Sequence, residues 1–279
     1  MTLVSGPLVA LVAALVWGSA DFSGGQATRR LNQYAVLVFS GISGGAALLV
    51  MALLRRETLP TGFDFGFASA AGICGALGLA ALYRGLSSGN TALVAPVAAV
   101  VGASAPLVFE LLRRQPPSPA QSLGFALALG GIWLVTQTHA DLHHLRRAGL
   151  VLGVTAGLGF GGFFIFIGLI GSDAVFAPLL VSRGATLLVA LLLVLLRREA
   201  LPSPYRHPLA LLAGVLDAGG NVFYLIATQL TRLDVAAVLS SLYPAVTVLL
   251  ALLLNHEKLA RWQWIGLAAC LGAVGLMVV

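Results

Sequence analysis

Apolar residues fall along the chain in long, nearly unbroken blocks, and polar residues are confined to the short gaps between them. The blocks occupy 3–24, 34–54, 65–86, 91–112, 122–138, 150–170, 176–196, 208–230, 235–254 and 262–278. Each approaches the roughly 20 residues that a helix needs to cross the ~30 Å hydrocarbon core of a bilayer. Backbone amides have no water to bond in that core, so such blocks span it as helices. The pattern predicts an all-α integral membrane protein of ten transmembrane helices joined by short loops. Ser87-Ser88-Gly89-Asn90 is the only break between the third and fourth blocks. The first block has the outline of a signal peptide, with Gly18-Ser19-Ala20 as a small-residue site, but no Lys or Arg precedes it. A secretory leader carries such a charge, so the block is read as the first span.

A repeat organises these spans. Leu-Leu-Arg-Arg-Glu-Thr-Leu-Pro at 53–60 returns as Leu-Leu-Arg-Arg-Glu-Ala-Leu-Pro at 195–202, an offset of 142 with a single difference. The same offset pairs Ala71-Gly72 with Ala213-Gly214 and Gly124 with Gly266; an offset of 143 pairs Ala13, Leu15 and Gly18 with Ala156, Leu158 and Gly161. The chain thus divides into two related halves, 1–140 and 141–279, of five spans each. An odd number of spans makes the second half enter the membrane from the opposite side, giving inverted repeats around a central cavity, an arrangement characteristic of transporters. With the N-terminus inside, Arg55, Arg56, Arg113, Arg114 and Arg232 lie inside. Arg29, Arg30, Arg84, Arg146, Arg147, Arg197, Arg198, Arg206, Lys258 and Arg261 lie outside. Charge alone therefore favours both termini outside.

Composition agrees with the pattern: 59% of the 279 residues are hydrophobic and 9% charged, whereas a soluble domain is about a quarter charged. The net charge of +6 comes from loop cations, which act as topology signals and not as a nucleic-acid surface. Cys74 and Cys270 stand alone in apolar runs and read as packing residues. His139, Asp141, His143 and His144 lie in the link between the halves without cysteine or a second ligand cluster, so they read as a solvated connector and not a metal site. No cofactor is expected. A GxxxxGK[ST] phosphate loop is absent from the sequence. Gly102-Ala103-Ser104-Ala105 lacks the closing glycine of a serine-nucleophile motif, and no span contains a histidine base. The missing phosphate loop argues against ATP-driven transport by this chain alone and the missing nucleophile motif and base against an intramembrane enzyme, while a structural membrane protein without transport activity would not explain the inverted repeats. The partners expected are a small-molecule substrate and the lipid bilayer, in a state compatible with a monomer or a homodimer.

Ionisable groups inside spans are costly, about 2.5–3.5 kcal/mol at mid-span, and face a cavity or a partner. Asp217 lies near the middle of the eighth span, and Asn221 and Tyr224 follow at i+4 and i+7 on one helical stripe. The stripe either lines a substrate cavity or forms an interhelical hydrogen-bond cluster. Arg183 is the one basic residue embedded well inside an apolar run and requires a carboxylate partner, Asp217 first, then Asp173 or Asp21. Trp17 and Asp21, four apart on the first span, either present an aromatic face and an acceptor to a cationic or zwitterionic substrate or sit at the interface as a cap. Tyr83 with Arg84, Phe160, Phe164 and Tyr243 complete the candidate substrate-binding set. Trp133, Trp262 and Trp264 read as interfacial belts or packing residues, and Glu110 and Glu257 as loop or interface charges. Pro96, Pro106 and Pro244 remove backbone donors and create places to bend, while Pro178 reads as a first-turn proline. Polarity assigns the cavity to the first, third, fourth, sixth, eighth and ninth spans, with the fifth and tenth outside.

Trp17-Gly18 with Asp21-Phe22, the stretch from Ala236-Ala237 through Tyr243-Pro244 to Glu257, and the glycines from Gly266 to Gly275 carry a family resemblance. With five plus five spans, the whole chain resembles the EamA-type permeases of the drug/metabolite transporter superfamily. The first half departs from the pattern, with Gly102-Ala103 in place of Tyr243-Pro244 and Pro116 near the place of Glu257. The resemblance implies a multi-pass inner-membrane transporter with cytoplasmic termini. It also implies export, or sometimes uptake, of amino acids, related metabolites or toxic organic compounds through a cavity between the halves.

Overall fold

A computed structural model describes residues 2–87, 91–113, 115–137, 147–171, 173–199, 201–203, 207–256 and 259–278. The break at Ser88-Gly89-Asn90, the connector residues His139, Asp141, His143 and His144, Glu257, and the side chain of Tyr83 lie outside the described residues. Among those described there is no strand. The helices are α1 (Thr2–Thr28), α2 (Gln33–Leu54), α3 (Gly62–Ser87), α4 (Thr91–Leu112), α5 (Pro119–Thr136) and α6 (Arg147–Gly168). They are followed by α7 (Phe176–Arg197), α8 (Pro208–Leu230), α9 (Leu233–Ser240), α10 (Tyr243–Asn255) and α11 (Arg261–Val278). Nine segments among the described residues are long and apolar enough to cross a membrane, one of them the α9–α10 stretch Leu233–Asn255.

Local chemistry sets the helix ends. Asn32 caps α2 by accepting the Ala35 N–H at 2.7 Å. Ser118 and Gln121 form a reciprocal capping box at α5, with Pro119 in its first turn. Pro244 enters the first turn of α10, where its missing N–H costs nothing, and the ninth apolar block is accordingly divided at Ser241-Leu242. Pro96 and Pro106 do not divide α4. That helix stays continuous because it lies along α6, whose Gly153, Gly157 and Gly161 admit it to backbone contact.

The helices pack mainly as α1 on α8, α3 on α6, α4 on α6, α5 on α11, α2 on both α7 and α8, α3 on α7, and α9–α10 on α1. Side chains bury where these pairs meet, and large apolar residues such as Leu53, Leu54, Leu195, Leu196 and Leu271 stay exposed on the outside, as expected for a surface facing lipid. We call the end of the bundle where α1 begins the near face and the other end the far face. Gly6 meets Thr231 at the near face, where Arg232 also donates to the Gln115 carbonyl at 2.7 Å. At the far face Gln26 donates to Asn255 at 2.7 Å and Gln263 donates to the Val135 carbonyl at 3.2 Å.

Charge is also buried away from the bundle centre. Asp234, fully buried, accepts from Arg232 Nε at 3.0 Å and from its terminal nitrogen at 2.8 Å. The Asp234 hydrogen bond raises the Arg232 pKa above its ordinary value. Glu110, read from sequence as a loop or interface charge, is buried at 4% exposure and lies 3.6 Å from Arg113. Glu110 is thus turned into the bundle, although Leu111, Leu112 and Arg113 after it are exposed.

Candidate functional site

A cavity of about 230 Å³ lies at mid-depth between the helices. Arg183 of α7 donates to the Asp217 carboxylate of α8, forming the ion pair expected of a lone base in an apolar run. The Asp217 side chain is nevertheless 39% exposed against 10% for Arg183, so the carboxylate is wetted by the cavity while the guanidinium is held in its wall. Asn221 donates to the same carboxylate at 3.4 Å, and Trp17 Nε1 donates to the Asp217 backbone carbonyl at 3.2 Å. Asp21 also lines the cavity and is exposed to it, and no hydrogen bond or ion pair holds its carboxylate among the described residues. Asp21 lies seven positions before the end of α1, so it is not a helix cap.

Trp17, Asp21, Phe160, Phe164, Arg183, Asp217, Asn221 and Tyr243 are brought together as lining residues. Tyr224 is not. It is fully buried, its hydroxyl donates to the Phe164 carbonyl at 2.9 Å, and its ring packs 4.9 Å from Phe164 and 5.7 Å from Trp17. Asp173 is exposed in the α6–α7 link, away from the Arg183 pair. The seventh span, assigned no wall from its polarity, supplies Leu179, Ser182, Arg183 and Thr186. Its wall position follows from packing between α2 and α3, which turns the Arg183 face inward. The second, fifth and last helices supply no lining residue among those described.

The cavity has two unlike sides. One, from α1, α7 and α8, carries Asp21, Arg183, Asp217 and Asn221; the other, from α3, α4 and α6, carries Leu79, Leu82, Ala98, Ala99, Ala103, Phe160 and Phe163. Ser241, at the break between α9 and α10, is a lining residue that sequence reading missed. Its hydroxyl is buried without a hydrogen-bond partner among the described residues. The preceding Ser240 and the Tyr243-Pro244 pair were its only sequence signal, a polar step just before a helix-breaking proline. Toward the near face the floor is closed by Val235 to Leu239 of α9, Ala10 and Ala13 of α1, Ile167 of α6 and Ala227 of α8, none above 1% exposed. Toward the far face, Trp17, Asp21 and Gly25 follow one stripe of α1, and the last two are exposed. The cavity is thus shut below and open along α1.

No group of three or more His, Cys, Asp and Glu side chains suited to a metal occurs among the described residues. The EamA-like transporter family matches residues 4–137 and again residues 147–279. The chain belongs to that family. A transporter of Bacillus subtilis (strain 168), YwfM, itself described as uncharacterized, is 24% identical over 285 residues, covering 98% of this chain and 92% of its own length. A protein of known crystal structure superposes with a TM-score of 0.79 at 17% identity, over 99% of this chain and 98% of the other, which shows the shared fold. This EamA-like chain is a multi-pass membrane transporter, and its spans hold both a lipid-facing apolar surface and a charged cavity.

Proposed function

We propose that the transporter exports amino acids or related and toxic organic compounds across a bacterial-type inner membrane by alternating access through this cavity. Asp21 carries the reading: a carboxylate without a partner among the described residues, held open to a mid-membrane cavity beside an already satisfied Arg183–Asp217 pair. Such a group is retained at the cost of charge in lipid only where something arrives to meet it. A positive nitrogen seats at Asp21 with Trp17 and Tyr243 beside it, and an apolar body lies against α3, α4 and α6.

Ten spans in two inverted halves, 1–140 and 141–279, are supported by the packing pattern. Exchanging α1 with α6, α2 with α7, α3 with α8, α4 with α9–α10 and α5 with α11 turns the main contacts into one another. The double family match divides the chain near the same point. Such halves rocking about a central site open it to one side and then the other. Both termini are assigned to the cytoplasm.

Purified protein in liposomes, offered a panel of amino acids and organic amines with and without a proton gradient, tests this. Asp21→Asn is expected to slow movement of a cationic substrate by roughly tenfold or more, since a hydrogen bond to a charged group is worth about 1.5–3 kcal/mol. Asp217→Asn is expected to abolish transport or change it strongly while the protein remains inserted. If it instead fails to express and Arg183→Gln restores it, the pair is structural. Transport of nothing in the panel, or unaltered transport in both aspartate variants, would overturn the reading.

A further inference from the structure

The repeated octapeptide lies outside the cavity, at helix ends on opposite faces, yet its two copies fold alike. Arg56 and Arg198 both take the left-handed conformation at φ 53°. The next N–H turns back in each, Glu57 to the Ala52 carbonyl at 2.9 Å and Glu199 to the Val194 carbonyl at 3.1 Å. A left-handed non-glycine residue is uncommon and unfavourable. Its appearance in both copies holds a carboxylate in the same pose at the end of α2 and at the end of α7.

The partners of the two carboxylates differ. Glu57 accepts three backbone N–H groups of α7 in the other half, from Val175 at 3.1 Å and from Phe176 and Ala177 at 2.8 Å each. Helix first turns leave such donors orphaned, and a carboxylate there also meets the positive end of the helix dipole. Val175, at the N-cap position of α7, has no side chain that could accept them. On the far face Glu199 is exposed and, among the described residues, reaches the Asn32 side-chain amide at 3.2 Å. The start of α2 is already capped by Asn32 itself.

We propose that Glu57 and Glu199 are gating residues of the transport cycle, each closing one face by capping the second helix of the opposite half. The inference rests on the alternating-access reading above. Glu57 holds three backbone donors on the near face, which is the closed one, and Glu199 holds a side-chain amide but no backbone donor among the described residues on the far face, toward which the cavity opens. Opening the near face draws α7 away from the α2–α3 turn and strips three charge-assisted bonds. Closing the far face brings the end of α7 onto the start of α2, where Gln33 and Tyr34 offer first-turn donors to Glu199. The self-capping of α2 makes that second latch the weaker, so the resting state is closed at the near face.

Spin-label distances in lipid nanodiscs test this, with Cys74→Ala and Cys270→Ala as background. One label pair, at Thr61 and Asp173, spans the near face; another, at Arg30 and Ser203, spans the far face. Glu57→Gln is expected to raise the near-open, far-closed population about fivefold or more, as loss of a charged cap at a helix end implies. Adding Glu199→Gln is expected to reverse that shift. Glu57→Asp, which keeps the charge on a shorter stem, should fall between and serves if Glu57→Gln does not fold. Unchanged near-face distances in Glu57→Gln, or no reversal by Glu199→Gln, would overturn the latch. A near face that lengthens while the far face stays put would leave Glu57 a plain cap and sink the rocking reading itself.

Discussion

Tyr224 shows how a polar side chain in a span can serve the site without touching what passes through it. Its hydroxyl fixes the Phe164 carbonyl and its ring backs Trp17, so it sets where the aromatic wall stands. Tyr224→Phe is expected to keep transport and to lower stability by about 1 kcal/mol, the net worth of one hydrogen bond, read as a lower thermal midpoint in detergent. The residue shares a helical stripe with Asp217, and that much is legible in sequence. Seven residues also advance it about 10 Å along the axis, past the cavity and into its closed floor, and no periodicity marks where the floor begins. The Arg183–Asp217 pair is legible for a different reason: a base inside an apolar run must find a carboxylate. Asp234 is not, because a charge near a gap reads as solvated until packing buries it, and Ser241 is not, because it stands inside the ninth apolar block and meets the cavity through a helix break there.

Among the elements, the α8–α9 turn is the one that sequence pattern treats as a mere gap and the fold uses as a clamp. Arg232 joins Asp234, at the start of α9, to the Gln115 and Pro116 carbonyls beyond α4. Arg232→Gln leaves a fully buried carboxylate without its ion pair. The expected loss approaches the lower end of the ~3–5 kcal/mol typical of a broken buried pair, since the guanidinium itself keeps 29% exposure. Thermal unfolding of the purified variant, beside Arg261→Gln at an exposed position as a control, checks it. The spans themselves are legible from hydrophobic block length. The division of the ninth block at Ser241-Leu242 follows Pro244, whereas the two prolines of α4 produce no division because a glycine-lined neighbour supports that helix.

For the whole molecule, contacts bring both chain ends toward one face: Gly6 beside Thr231, and Met277 beside Gly124 near the start of α5, which the Arg232 clamp ties to the same end. Reporters fused to the two termini should therefore appear in one compartment, and opposite compartments would break the ten-span reading. Polarity pattern and loop charge reach as far as this count, but the compartment itself pits the loop arginines against the family habit. The glycines have a mechanical consequence. At the crossing of α2 with α8, Gly44 faces the Gly214 carbonyl, and at that of α3 with α6, Gly78 faces Gly159. Backbone meets backbone in the same way where Gly131 faces the Gly266 carbonyl between α5 and α11 and where Gly72 faces the Ser182 carbonyl between α3 and α7, so the bundle is held at the narrowest spacing its chain allows. One methyl group added there would drive straight into the opposing backbone and wedge the two helices apart.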